Sequence, residues 1–248
     1  MFDTADAYHF EDFMRDTSRA RSGQDLFRLF ARAVGQYGYD RILFSIPRDP
    51  EMPEELNKHG LLVNYPADFM NYYFEKDLAR IDPVLKACFT QSRAFTWADL
   101  EAHSSLTEAQ LRLMRMGEGA GLNNGVGVPI RSHNAMVAGF GLASSERRDA
   151  ARFDADILGA LAAQFYVAFK RLYARPLSTS EIPVSLTPKE TEILSWVAAG
   201  KTDDEIAVIL GISRNTVDSH MRHVFRKLEA GNRVSAVVKG IGQGHIHL

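Results

Sequence analysis

Between Thr187 and Leu228 the chain can form little other than short helices set at angles to one another. Thr187 precedes Pro188, with Glu190 three residues on, an N-cap, first-turn proline and capping partner in sequence. Ile193, Leu194 and Val197 then make an inward stripe, and Gly200 supplies a C-terminal stop. Thr202 with Glu205 repeats the capping box and opens a second helix through Ile206, Ile209 and Leu210, after which Gly211 turns the chain. Ser213 caps a third, with Val217, Met221, Val224, Phe225 and Leu228 at helical spacing. A short helix, a turn containing glycine and another helix predict a helix-turn-helix. The outer face of the third helix carries Arg214, Asn215, Asp218, Ser219, Arg222 and Arg226, side chains suited to base edges and phosphates.

The segment before this module, Arg175 to Pro183, has two prolines and a Ser/Thr cluster without periodicity, so 175–184 is expected to be a linker. It divides the chain into a domain of residues 1–174 and one of 185–248. The whole chain carries a net charge of −2, which argues nothing for nucleic acid. The average hides a segregation. Residues 185–212 hold 2 basic and 5 acidic side chains, whereas from 213 onward there are 6 basic and 2 acidic. A net of −3 is followed by +4, on the stretch that holds the third helix.

Upstream, helices and strands interleave. Ser22 and Asp25 open a helix through Leu26, Phe27, Phe30 and Val34 that stops at Gly35 or Gly38. Ile42–Ile46 and Leu61–Tyr65 read as strands, and a helix follows Pro66. Gly125–Ile130 and Met136–Ser144 read as adjacent strands, with Ser132, His133 and Asn134 as the turn between them. Asp154 begins a long helix with Ile157, Leu158, Leu161, Phe165, Ala168, Phe169 and Leu172 at three- to four-residue spacing. Strands joined by a tight turn pair antiparallel, so the first domain is predicted to be an α+β fold, an α/β/α sandwich around an antiparallel sheet.

Several function classes drop out. With 46% hydrophobic residues, wholesale disorder is excluded. No apolar run approaches the ~20 residues of a membrane span, and the acidic N-terminus has no apolar signal region, so a cytoplasmic protein with no membrane partner is expected. The single Cys88 excludes an internal disulfide and a Cys-rich zinc site. No GxSxG, HExxH, HxHxD, P-loop or strand-linked GxGxxG occurs, so neither catalysis, metal nor cofactor is expected. The glycine-rich stretch Gly117–Gly127 reads as a loop and strand entry.

The C-terminal stretch resembles the LuxR/NarL-type DNA-binding domain. Its E…L…G signature stands as Glu190, Leu194 and Gly200, followed by EIAxxLGIS at Glu205–Ser213 and TVxxHxxxxxxKL at Thr216–Leu228. The resemblance implies that Arg214, Asn215, Asp218, Ser219 and Arg222 enter the major groove, and that His220 packs or meets the backbone rather than a metal. Of the sensors that accompany this module, a phosphorylated receiver would be a parallel doubly wound fold, which the first domain does not read as. Instead PADFMNYYFEKDLARIDPVLKACFTQSRAFTW and AGLNNGVGVPIR resemble the autoinducer-binding domain of LuxR-type quorum-sensing regulators. A LuxR-type regulator sensing a non-lactone molecule, a response-regulator-like transcription factor driven by phosphorylation, and a ligand-free domain used only for protein contacts are the competing readings.

That domain is characterised by six positions, Trp, Tyr, Asp, Pro, Trp and Gly. Here they fall on Phe69, Tyr73, Asp82, Pro83, Trp97 and Gly125, five matches and one departure. The resemblance implies an acyl-homoserine lactone whose amide N–H is accepted by Asp82 and whose acyl carbonyl is met by the Tyr73 hydroxyl. Trp97 would pack on the lactone, with Pro83 and Gly125 structural. Phe69 keeps an aromatic wall but lacks the indole N–H that would hold the lactone carbonyl, so weaker lactone anchoring, another donor or another ligand is implied. Gly141 stands where relatives often carry Ser or Thr, and a roomier pocket suited to a branched or aryl acyl group is expected. Read alone, Asp82–Pro83 is also an ordinary N-cap and first-turn proline. A homodimer on an inverted-repeat DNA site is implied as well, with the long helix after Asp154 either wholly core or partly a pairing face.

Overall fold

The computed structural model describes residues 8–131, 136–146, 154–174 and 185–247. The proposed linker and the Ser132–Asn134 turn lie outside the described residues. Contacts divide the chain into two compact units, one ending near Ala174 and the other holding Ser185 onward.

The first unit opens with two helices, α1 (Phe10–Arg19) and α2 (Gly23–Gly35). Ser22 caps α2 by accepting the Asp25 N–H, as the Ser-x-x-Asp spacing requires. Among the described residues five strands follow: β1 (Arg41–Arg48), β2 (Leu62–Val63), β3 (Phe95–Thr96), β4 (Asn123–Arg131) and β5 (Val137–Ser144). They form one sheet in the order β2-β1-β5-β4-β3, antiparallel at every pair. Between β2 and β3 lie α3 (Ala67–Glu75) and α4 (Pro83–Cys88); α5 (Trp97–His103) and α6 (Glu108–Gly119) precede β4, and α7 (Ala155–Tyr173) closes the unit.

Side-chain alternation gives the sheet two different faces. Ile42, Phe44 and Ile46 of β1 and Ala138, Phe140 and Leu142 of β5 join α1, α2 and α7 in one core. Its centre is aromatic: Phe30 and Phe140 stack at 4.1 Å between ring centroids, Phe44 and Phe140 at 4.8 Å, and Phe165 meets Phe44 edge-on at 4.9 Å. The opposite side of the same strands, with Leu43 and Ser45 paired against Gly141 and Gly139, looks toward α3, α4 and α6. This is the expected α/β/α sandwich on an antiparallel sheet.

Local differences from the sequence reading have physical causes. The second strand is shorter than Leu61–Tyr65 because the Asn64 side chain takes over the ladder, accepting from Ile42 N–H and donating to the Asp40 carbonyl. Gly117 and Gly119 are not loop: they form the last turn of α6, whose start is a capping box of Thr107 and Gln110. In α7 the apolar surplus is divided. Leu158, Leu161, Phe165 and Phe169 are buried, whereas Val167 is 64% exposed.

The second unit has helices α8 (Pro188–Ala198), α9 (Asp203–Leu210), α10 (Arg214–Lys227) and α11 (Arg233–Gly242). Both Thr-x-x-Glu capping boxes form, and Ser213 caps α10 through the Thr216 N–H. Gly211 ends α9 at φ +63°, a left-handed turn that an L side chain would strain. The final helix, capped by Asn232, adds a fourth element to the expected three.

A cavity in the first unit and a polar helix face in the second

A cavity lies under the pocket side of the sheet, walled by α3, α4, α5 and α6. Counting its open mouth, the space between the lining atoms is about 750 Å³. Phe69, Tyr73, Asp82, Trp97 and Gly141 all line it. Pro83 is buried at the start of α4 and Gly125 lies beneath Trp97. Five positions spread over 73 residues of sequence are thus brought to one space.

Asp82 is an N-cap and faces the cavity at once. Its Oδ1 accepts the N–H groups of Val84 (2.8 Å) and Leu85 (3.2 Å), while Oδ2 accepts the Tyr73 hydroxyl at 2.7 Å. A carboxylate has about four acceptor sites, so these three bonds fix its plane and leave one open. Tyr73 is held as a phenol: burial raises its pKa and the neighbouring Asp82 charge raises it further. Its single hydroxyl proton is already donated in the hydrogen bond to Asp82. Cys88, also lining the cavity, is pushed up to about 12 by burial and then by Asp82, which makes it an inert thiol.

Two buried polar atoms of the lining residues have no hydrogen-bond partner among the described residues: the Tyr65 hydroxyl and the Trp97 indole N–H. Tyr65 comes from the turn before α3 and reaches across to β5. A Cβ at Gly141 would lie 2.7 Å from the Tyr65 oxygen. The absence of a side chain at Gly141 therefore does not widen the cavity as the sequence suggested; the space is occupied by a hydroxyl. Phe69 stands 6.1 Å from the Tyr73 ring as a purely apolar wall. Gly125 permits the indole to lie flat on β4, because any Cβ there would fall 1.9 Å from a Trp97 ring carbon. Sequence reasoning missed Tyr65, although Asn-Tyr-Pro immediately before a helix marks a fixed turn from which an aromatic can be aimed.

In the second unit, Val217, Met221 and Val224 fix the rotation of α10 by burying one side. Arg214, Asn215, Ser219, Arg222 and Arg226 are exposed on the other, and Asp218 is half-buried among them. Asp218 holds Arg222 at 2.6 Å, and Arg214 lies 3.5 Å from Asp204. Arg226 has no ion pair among the described residues. Glu190, one of the signature positions, is 2% exposed. It accepts from Lys227 at 2.6 Å and from the Thr187 N–H at 2.7 Å. Leu194 is fully buried and Gly200 takes φ +81°. His220 and His223 approach Glu190 at metal-ligand spacing, while the bonds from Lys227 and from the α8 cap both fall on its Oε2. Among the described residues no helix is long and apolar enough to cross a membrane.

Residues 22–169 match the family described as "Autoinducer binding domain", and residues 184–239 match "Bacterial regulatory proteins, luxR family". The transcriptional activator protein SolR of Ralstonia nicotianae is 31% identical over 96% of this chain and 98% of its own length. The quorum sensing-dependent transcriptional regulator RpaR of Rhodopseudomonas palustris is 32% identical over 90% of this chain and 89% of its own. Among solved structures, Escherichia coli SdiA superposes with a TM-score of 0.60 at 25% identity, covering 97% of this chain and all of that one. A sensor-side cavity and a capped helix-turn-helix on one chain, matched along both parts, leave one assignment: this protein belongs to the LuxR-type family of autoinducer-binding transcription regulators.

Proposed function

We propose that the protein is a cytoplasmic, non-enzymatic quorum-sensing regulator that binds an acyl-homoserine lactone in this cavity and an inverted-repeat DNA site as a homodimer. Residues 1–174 would sense and dimerise, 175–184 link, and 185–248 read DNA. The observation that carries the ligand class is a count of unsatisfied groups. The cavity offers one open acceptor site on Asp82 and, among the fully buried polar atoms of its lining residues, two without a partner, on Tyr65 and Trp97. An acyl-homoserine lactone offers the complement, one amide N–H and two carbonyl oxygens, on a mostly apolar body. In this reading Tyr65, not the engaged Tyr73, meets the acyl carbonyl, and the Trp97 indole replaces the donor that Phe69 lacks. Phe69 also favours a second reading, an amide without the lactone ring, because that ligand needs only one donor.

Mass spectrometry of organic extracts separates these: protein purified after expression with candidate lactones should carry one of them stoichiometrically. Tyr65→Phe tests the count itself. It should weaken binding of N-octanoyl-homoserine lactone by about 1–2 kcal/mol, roughly five- to thirtyfold. The same change should not lower the stability of the ligand-free chain, since it removes a buried hydroxyl with no partner. Unchanged affinity would remove Tyr65 from the site.

DNA binding is supported by the exposed polar face of α10. Arg226 has no ion pair among the described residues, so Arg226→Ala should reduce the salt dependence of binding to a random-sequence duplex by about 0.9 in log–log slope, one phosphate contact. A slope equal to that of the unaltered protein would place Arg226 off the DNA. The dimer is supported by the exposed Val167 on α7. Recognition helices in such a dimer would sit one DNA turn, or a multiple of it, apart.

A further inference from the structure

His59 lies in the segment between β1 and β2 and lines the cavity, yet none of the six characteristic positions includes it. Its place is fixed on three sides. Gly60, the next residue, adopts φ +66°, and a Cβ there would come 2.8 Å from Phe74, so the turn is pressed against α3. The imidazole stacks on Tyr73 with centroids 5.3 Å apart and meets Phe74 edge-on at 6.4 Å. Its Nδ1 lies 2.9 Å from the Ser45 hydroxyl oxygen.

That last contact sets the tautomer. Ser45 is buried, and its oxygen already accepts the Gly60 N–H at 3.0 Å. Its one proton has no other acceptor among the described residues, so it goes to Nδ1, and the ring proton of a neutral His59 then sits on Nε2. Burial pushes the imidazole below its ordinary pKa, with the Asp82 charge opposing, which favours the neutral ring. Nε2 meets no protein acceptor among the described residues. An apolar ligand chain packed against that N–H would cut it off from water without a partner, which is unfavourable, and a ligand oxygen removes the penalty.

We infer that His59, positioned by Ser45, is a specificity-determining residue that donates its Nε2–H to an oxygen acceptor on the acyl chain of the ligand. The inference rests on the amide-ligand reading given above. Because His59 stacks on Tyr73, whose hydroxyl is bound to Asp82, the acceptor belongs within a few bonds of the amide. A 3-oxo group satisfies this; a plain alkanoyl chain does not.

Affinities of the full chain for N-octanoyl- and N-(3-oxooctanoyl)-homoserine lactone test it. The unaltered protein should bind the 3-oxo compound at least about fivefold more tightly. His59→Phe keeps the stacked ring but not the donor, and the ratio should fall to about one. His59→Gln retains an N–H donor and should restore part of the preference, while Ser45→Ala, which frees the tautomer, should reduce it. A ratio near one in the unaltered protein, a ratio that survives His59→Phe, or equal weakening toward both compounds overturns the role of His59. In each of these cases binding itself persists, so the lactone reading stands. Failure of the unaltered protein to bind either compound overturns both.

Discussion

Gly125→Ala is expected to open the cavity wall and to lower the stability of the first domain together. The added methyl would sit 1.9 Å from Trp97 Cδ2 and 2.1 Å from Cε3, far inside van der Waals contact. Neither partner can yield by a small shift. Gly125 lies in β4, in the irregular stretch between the Asn123–Ser144 and Val126–Leu142 pairs, and Thr96, immediately before Trp97, pairs with the next residue, Val126. The ring must swing away, carrying its indole N–H out of the cavity. Overpacking of this kind costs about 1–3 kcal/mol. Loss of an aromatic anchor from the binding wall should weaken the ligand by about 2 kcal/mol more, some thirtyfold. Urea unfolding of the full chain and ligand retained through purification read the two effects separately. The double variant Gly125→Ala/Trp97→Leu should lose less than the sum of its parts, because the clash disappears with the ring. A wild-type unfolding midpoint with full ligand retention in Gly125→Ala would mean that the indole does not lie on this strand.

The contrast between Trp97 and Tyr65 shows where sequence reasoning reaches and where it stops. Trp97, Asp82 and Tyr73 stand out in sequence because their spacing follows a family pattern. Their individual tasks do not, because those depend on which hydrogen bonds are already made. Tyr73 has spent its proton on Asp82, and Asp82 has spent three acceptor sites on its own helix and on Tyr73. Only three-dimensional accounting leaves Tyr65, Trp97 and His59 as the groups with capacity to spare. Gly141 carries the same lesson with the opposite sign: a missing side chain suggests room, but a tyrosine from a segment 76 residues earlier has taken it. At the level of elements, strong local signals were legible. Ser22, Asp154, Thr187, Thr202 and Ser213 each cap the helix that their spacing predicts. The Thr107–Gln110 box of α6 was equally available but was hidden by the glycines that end the helix. The strand at Leu62–Val63 was overextended because the Asn64 side chain imitates a ladder bond.

Glu190→Ala should lower the melting temperature of the DNA-binding unit more than any single change on its exposed face. The carboxylate is 2% exposed and serves two elements, closing the α8 capping box through the Thr187 N–H and holding Lys227 at the end of α10. Removing one member of a fully buried pair costs about 3–5 kcal/mol. The Lys227 side chain is 29% exposed and so partly solvated, which reduces the expected loss to about 2–3 kcal/mol. A unit of this size shifts by about 4–8 °C per kcal/mol, so a fall of roughly 10–20 °C is expected, with DNA binding lost over the same interval. The pH dependence follows from the direction of the shift. Burial alone would raise the Glu190 pKa, but hydrogen bonds from Lys227 and Thr187, and the Lys227 charge, outweigh it and hold the group below its ordinary value of 4.5. A depressed carboxylate contributes stability above its unfolded pKa and loses it as pH falls through the folded value. The gap in melting temperature between the unaltered protein and Glu190→Gln should therefore stay constant from neutral pH down to about 5 and close progressively at lower pH. A gap that persisted undiminished to about pH 2 would show that Glu190 acts there through packing alone, and that its bond to Lys227 carries none of the coupling between α8 and α10.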